Sequence, residues 1–306
     1  MNIFLQATFE GLSLGAVYSL VAIGFVLIFR ATEVLSFAQP AMVVVGAGFI
    51  SYFATQIGIP FIFAFIIGII LTGLLGFILE RTFLRPMVGE PVFSVAVLTI
   101  GIDILLRVIL DNWIGINPKY MGDPFPSYGN FGSLNIGGLT VKYLEVTALI
   151  TSLVLISILS VFFKRSKYGV AMRATSLDQE AALAQGINVG RVFGLVWFIA
   201  GLLAAFAGFF ITGGFNTLTN TSFISALRAL PAVVIGGLDS ITGAIIGSLI
   251  IGLTQAYVGY YQFDIESAYN IKLGNGFSIV APYLIMFVIL LVKPHGLFGT
   301  EEVERV

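Results

Sequence analysis

The sequence predicts an all-α fold built from transmembrane helices. Of its 306 residues, 58% are hydrophobic and only 10% are charged, whereas soluble domains carry roughly 25% charged residues. Apolar segments recur along the chain at the ~20-residue length that crosses ~30 Å of hydrocarbon. Glycine contributes 35 residues, an abundance typical of membrane helices that pack closely through small side chains. We therefore expect residues 1–306 to form one polytopic transmembrane domain.

The apolar segments predict eight or nine membrane segments. Between residues 225 and 260, the sequence Gly-Gly-Leu-Asp-Ser at 236–240 interrupts an apolar stretch and divides it into 225–237 and 242–260. The first piece is short and could dip into the membrane without crossing it, which is tolerated only where protein or a cavity covers the backbone. The other predicted spans are 9–29, 37–55, 60–79, 92–110, 142–163, 192–212 and 277–292.

The basic residues orient the chain with its N-terminus outside a cell membrane. Loops rich in Lys and Arg stay in the cytoplasm, and this orientation places ten of the fifteen basic residues inside, many of them in loop 164–191. It requires an odd number of crossings and so favours nine, with eight as the alternative if 225–240 only dips in. Loop 111–140 then lies outside, and its proline and glycine content predicts turns or short strands.

A short helix is predicted over residues 177–185 of the cytoplasmic loop. Thr175 or Ser176 can cap its N-terminus, and acidic residues in its first turn suit the helix dipole. A glycine after its last turn is a common helix stop. A capped helix on this face is a candidate docking element, with a solvated loop as the alternative. The residues expected to matter are Leu177, Asp178, Glu180, Ala181, Ala182 and Gly186.

Two similar segments suggest an inverted internal repeat. Residues 40–46 (Pro-Ala-Met-Val-Val-Val-Gly) and 231–237 (Pro-Ala-Val-Val-Ile-Gly-Gly) are identical at four of seven positions. Each follows a Gly- and Ala-rich span, and the predicted orientation makes those two spans run in opposite directions. Inverted repeats are typical of transporters, whose substrate route lies between them. Chance similarity among apolar segments is the alternative.

Uncharged polar residues and small residues within these segments are candidates for a substrate route. Ser36 and Gln39 lie where the second span begins, and Thr99 is a weaker candidate because threonine can bond its own helix backbone. Small residues near them would keep the passage open, and we expect the two repeated segments to meet near the membrane midplane. These small residues are Ala41, Gly46, Ala232 and Gly236.

Charged residues within spans are costly and need an explanation. Asp103 and Arg107 lie four apart on one face of a span and can pair; we expect a structural ion pair between helices rather than a role in transport. Arg228 is expected outside or near a membrane interface. The chain has one histidine and no cysteine, and no segment groups the side chains that catalysis needs. No Gly-x-x-x-x-Gly-Lys-Ser/Thr loop occurs, so ATP would have to act through another polypeptide.

An ordered set of motifs resembles the permease subunits of bacterial branched-chain amino acid ABC transporters, closer to the LivH type than to its LivM partner. Each motif is weak alone, but together they cover nearly the whole chain. Ser36, Pro40 and Asp239 depart from the family pattern, which concerns the substrate rather than the fold. The motifs are Gly-Leu-Ser-Leu-Gly-Ala-Val-Tyr at 11–18 with its continuation to 24, Leu-Ser-Phe-Ala-Gln-Pro at 35–40, Thr-Ile-Gly at 99–101, and residues 173–188, 236–244 and 294–299.

The resemblance implies a permease for branched-chain amino acids or similar small solutes. It would work with a second related permease, two cytoplasmic ATPases that bind ATP and Mg²⁺, and an external solute-binding protein, and would itself hold no cofactor and no nucleic acid. The helix at 177–185 would be the coupling helix that contacts an ATPase. One alternative is an importer of urea, short amides or aromatic acids, suggested by Ser36 and Pro40. Another is a self-sufficient secondary transporter, disfavoured because Asp103 and Asp239 offer few carboxylates for a coupling ion.

Overall fold

The computed structural model describes residues 2–115, 119–122, 132–136, 139–213, 217–219, 222–274 and 276–299. Seven helices in these ranges are long and apolar enough to cross a membrane, which confirms the polytopic all-α prediction. The helices are α1 Asn2–Thr32, α2 Ala38–Ser51, α3 Phe61–Leu79, α4 Val92–Ile114, α5 Tyr143–Arg165, α6 Lys167–Leu177, α7 Gln179–Ala184, α8 Val189–Gly213, α9 Ser222–Leu227, α10 Leu230–Gly236, α11 Ile241–Tyr269 and α12 Phe277–Val292.

The predicted short segment 225–237 is a pair of short helices rather than one. Helix α9 ends at Leu227, and α10 begins at Leu230 with Pro231 in its first turn, where the missing N–H costs no hydrogen bond. Residues 222–236 are thus apolar but broken. Helix α12 is also shorter than the seven long helices, among which α2 reaches its length by continuing as a π-helix to Gln56. With both counted, the described elements match the nine predicted segments.

Helices α1 and α8 form the centre of the bundle. Helix α1 packs most extensively against α11, α8 packs most extensively against α3, and α1 and α8 also pack against each other. Glycine permits the close approach of α1 to α11 and of α3 to α8. A Cβ added at Gly252 would lie 2.4 Å from the Gly15 nitrogen, and one at Gly201 would lie 2.4 Å from the Thr72 carbonyl oxygen. Exchanging α1 for α8 and α11 for α3 reproduces the same pattern of packing, as expected for two related units. The inverted orientation of these units stays a prediction.

Helix α2 begins inside the bundle instead of at the membrane surface. Residues 33–37 leave α1 through Glu33, whose φ of 57° lies in the left-handed region, and α2 then starts at Ala38. The Gln39 side chain touches Gly24 and Ala200, both well within α1 and α8. Non-helical backbone at membrane depth is tolerated where protein covers it. Within this segment Val34 and Ser36 are buried, and only Glu33 is exposed.

Short strands lie on the predicted outer side. Strand β1 (Lys119–Tyr120) pairs antiparallel with β4 (Thr217–Leu218), and β2 (Ser133–Ile136) forms a hairpin with β3 (Leu139–Lys142). The expectation of short strands in loop 111–140 is therefore confirmed where the loop is described. Residues 116–118, 123–131 and 137–138 lie outside the described residues.

Candidate docking helix and intramembrane polar sites

The N-terminal cap of α7 is Asp178, not Thr175 or Ser176 as predicted. Asp178 has an extended backbone (φ −162°, ψ 111°), and its carboxylate accepts a hydrogen bond of 2.9 Å from the Ala181 N–H. The hydroxyls of Thr175 and Ser176 instead donate to carbonyls within α6. Leu177 is the last residue of α6, so the predicted helix starts two residues later than expected.

Gly186 ends α7, as predicted. Its φ of +80° lies in the left-handed region that glycine adopts readily. The Gly186 N–H donates to the Leu183 carbonyl at 2.9 Å, and the Ile187 N–H donates to the Ala182 carbonyl at 3.0 Å. This pair of bonds is a Schellman motif, which satisfies carbonyls that the helix end would otherwise leave free. Both ends of α7 are thus fixed by local bonds.

Helix α7 packs against the rest of the chain through one small residue, and most of its surface is exposed to solvent. Ala182 is buried, and α7 packs lightly against α6 and α8. Asp178, Glu180 and Ala181 are exposed. Leu177 and Leu183 expose 87% and 57% of their surface. Exposed leucines on the predicted cytoplasmic face are typical of a surface that contacts another protein rather than of a solvated loop.

Helix α6 connects α7 rigidly to the end of α5. The Ser166 hydroxyl caps α6 by accepting from the Gly169 N–H at 2.9 Å. A Cβ on Gly169 would clash with the Phe163 backbone, and Arg173 donates to the Phe163 carbonyl. A displacement of α7 would therefore be passed on to the membrane helices.

A clamp centred on Arg85 joins α3 to the beginning of α8, and sequence reasoning missed it. Arg85 Nη2 lies 2.8 Å from Glu80 Oε2 and donates to the Gly190 carbonyl at 2.7 Å, while Arg85 Nε donates to Glu80 Oε1 at 3.1 Å. Glu80 is almost fully buried. From the sequence, Arg85 was interpreted only as one of the basic residues on the cytoplasmic side. The signal for the clamp was Glu80, an acidic residue five positions earlier at the inner end of the same span.

Three predicted route residues meet at the beginning of α2. The Thr99 hydroxyl accepts from the Phe37 N–H at 3.1 Å, and Gln39 Nε2 donates to the Ala200 carbonyl at 3.2 Å. Ser36 Oγ and Gln39 Oε1 are buried without a hydrogen-bond partner. The structure therefore places Ser36, Gln39 and Thr99 around the start of α2 in the interior, where Ser36 and Gln39 offer unsatisfied polar atoms and the Thr99 hydroxyl is already bonded.

The small residues expected to line the route are packed between helices. Ala41 and Ala232 are fully buried. A Cβ on Gly46 would lie 2.6 Å from Ala205 Cα, and one on Gly236 would lie 2.3 Å from the Gly243 carbonyl group. Helix α2 packs on α8, α3 and α4, whereas α10 packs on α11, α1 and α12. Helix α2 also contacts α9, and the meeting of the two repeated segments near the membrane midplane stays a prediction.

Asp103 and Arg107 pair within α4, not between helices as expected. Arg107 Nη2 lies 2.5 Å from Asp103 Oδ2, and the guanidinium stacks over the Phe223 ring of α9 at 4.1 Å. The Arg107 side chain is 40% exposed and borders an open cavity of about 240 Å³ together with Val44 and Asp111. The i, i+4 spacing alone accounts for the pair.

Arg228 lies between α9 and α10, beside the middle of α1 rather than at or beyond the helix ends, where it was expected. Its guanidinium interacts electrostatically with the hydroxyls of Tyr18 and Tyr283. Tyr18 donates to Gln255 Oε1 at 2.9 Å, and these two residues lie near the midpoints of α1 and α11. An arginine at this depth costs roughly 2.5–3.5 kcal/mol, so it requires either a partner or a function.

Metal ligation has no support in the described ranges, where no group of three His, Asp or Glu side chains is close enough to hold an ion. The buried polar groups within long apolar helices, together with a capped helix on the predicted cytoplasmic face, define the class of the protein. It is a multi-pass protein of the cell membrane.

The chain belongs to a family described as the permease component of branched-chain amino acid transport systems, whose pattern matches residues 7–292. It is 29% identical to the high-affinity branched-chain amino acid transport system permease protein LivH of Salmonella typhimurium, over 99% of this chain and 98% of that protein. It is 26% identical to the corresponding permease protein BraD of Pseudomonas aeruginosa, with the same coverage. The galactose/methyl galactoside import permease protein MglC of Haemophilus influenzae is 30% identical, over 45% of this chain and 44% of its own length.

Proposed function

We propose that this chain is the membrane-spanning permease subunit of an ATP-driven importer for branched-chain amino acids or similar small solutes. The observation that carries the proposal is α7: a helix fixed at both ends, exposed along most of its surface, and bonded through α6 to the membrane bundle. A rigid helix of this kind can transmit movement of a bound ATPase, which a flexible loop could not.

The partners follow from the same proposal. Two cytoplasmic ATPases bind ATP and Mg²⁺ and hydrolyse the nucleotide, so this chain is not itself an enzyme. A second, related permease completes the passage, and an external solute-binding protein delivers the amino acid. The membership of the chain in a family of permease components and the names of relatives that share almost its whole length support this assembly.

Crosslinking tests whether α7 contacts an ATPase. The chain contains no cysteine, so Leu183→Cys introduces its only thiol at an exposed position of α7. We expect this variant to crosslink to a co-expressed ATPase subunit through a bifunctional thiol reagent. Val292→Cys, which is also exposed but lies at the end of α12, is the matched control. Equal crosslinking by both variants would contradict the proposal, and so would the absence of crosslinking by Leu183→Cys in an active transporter.

A further inference from the structure

Arg228 is a cation without an anion. Arg85 and Arg107 each form an ion pair with a carboxylate on their own segment, but no carboxylate in the described part of the chain lies within ion-pair distance of Arg228. The groups that interact with it, the hydroxyls of Tyr18 and Tyr283, are not carboxylates. Its buried Nε has no hydrogen-bond partner at all.

The depth of Arg228 in the membrane limits the surroundings of the exposed part of its side chain. Tyr18 and Gln255 lie near the midpoints of α1 and α11, which places the guanidinium close to the membrane midplane. Arg228 is nevertheless partly exposed on the surface of the chain. A charged group at this depth does not face lipid but a bundle interior or a water-filled cavity. This side of the α9–α10 break is therefore turned towards the passage or the neighbouring permease.

The local geometry suits a carboxylate. A guanidinium presents its N–H groups as a planar fork that matches the two oxygens of a carboxylate. The hydrogen bond from Tyr18 to Gln255 joins α1 to α11 beside Arg228 and holds the surrounding surface in place. A break between two short helices at mid-depth is also a common position for transporter substrate sites.

We propose that Arg228 binds the carboxylate of the transported solute halfway through the membrane, with Tyr18 and Gln255 as positioning residues. The inference rests on the proposed import function and deepens it, because it restricts the solutes to those that carry a carboxylate. A second source of the same chemistry is an acidic side chain of the partner permease, and the experiments below separate the two.

Thiol labelling tests whether Arg228 faces an aqueous route. Since the chain has no cysteine, Arg228→Cys carries a single thiol, and so does the control Leu153→Cys, on the exposed outer face of α5. In membrane vesicles from cells that produce the complete transporter, a water-soluble methanethiosulfonate should label the first variant and not the second. Equal lack of labelling would overturn the proposal. This result does not depend on ATP, so it can fail independently of the proposed function.

Uptake of radiolabelled leucine by vesicles prepared in the same way tests whether transport requires the positive charge of Arg228. Arg228→Gln should lower uptake about tenfold or more, as expected for the loss of a hydrogen bond to a charged group, while the amount of assembled permease stays unchanged. Arg228→Lys should recover part of the uptake because it restores the charge but not the fork. Normal uptake by Arg228→Gln would overturn the proposal. A loss of assembly that lysine restores, with normal uptake per assembled complex, would assign the carboxylate to the partner permease and also overturn it.

Discussion

At the residue scale, the charges within the bundle divide into those with a partner on the same segment and those without. The i, i+4 spacing of Asp103 and Arg107 made their pair predictable, although not its position within one helix. The neutral neighbours of Arg228 come from α1, α11 and α12, which are distant in sequence. Sequence spacing reports only contacts along one helix, so tertiary neighbours of this kind could not be inferred from it.

The Asp103–Arg107 pair should be a structural unit. Asp103→Asn or Arg107→Gln alone leaves an uncompensated charge, which costs roughly 3–5 kcal/mol for a fully buried pair; the partial exposure of Arg107 puts the expected cost below that range. The double variant removes both charges and should be more stable than either single one. Thermal unfolding of the three purified variants checks this order, and equal midpoints would argue against a structural ion pair.

At the element scale, local sequence signals located helix ends well but chose the wrong cap for α7. The sequence pattern favoured Thr175 or Ser176 as the cap and placed Asp178 in the first turn, and only the backbone shows that the chain leaves the helical conformation at Asp178. For the Arg85 clamp, local spacing could have suggested the pair with Glu80 but not the contact with α8. Its acceptor is the backbone carbonyl of Gly190, and a backbone group leaves no trace in the identity of the residue.

Gly186 should be required for coupling through α7. Nothing lies within 4 Å of a Cβ added there, so a substitution acts only through its positive φ. Gly186→Val should strain the helix end, and ATP hydrolysis should then proceed without uptake. Gly186→Asn is the matched control because asparagine tolerates the left-handed region. ATPase activity and leucine uptake measured together check the prediction, and normal coupling in the valine variant would refute it.

At the scale of the whole molecule, the number, order and approximate ends of the membrane segments were predictable. Each segment is long and apolar, which the sequence reports directly. The packing of these segments was less accessible: the Pro-Ala-x-Val similarity suggested two related units, but not that α2 contacts α8 while α10 contacts α11. Which apolar faces meet depends on the shapes of many side chains together. Apolar composition alone does not distinguish a helix contact from the wall of a passage.

The packing around α2 and α10 changes the expected effect of enlarging their small residues. Ala41 and Ala232 are fully buried between packed helices, so Ala41→Leu and Ala232→Leu should destabilise the bundle by about 1–3 kcal/mol instead of blocking an open route. Ile104→Leu, at an exposed position of α4, should leave stability unchanged. Unfolding midpoints of the purified variants check this, and wild-type stability together with abolished uptake would restore the passage interpretation.

The central claim is that this chain carries solute only when ATPases act on it through α7. The most direct measurement is accumulation of radiolabelled leucine by proteoliposomes that contain this chain, its partner permease and the ATPases, with the solute-binding protein on the opposite side from ATP. The account predicts accumulation that requires both ATP and this chain and is lost in Gly186→Val. Accumulation driven by an ion gradient without ATP or the ATPases would contradict it.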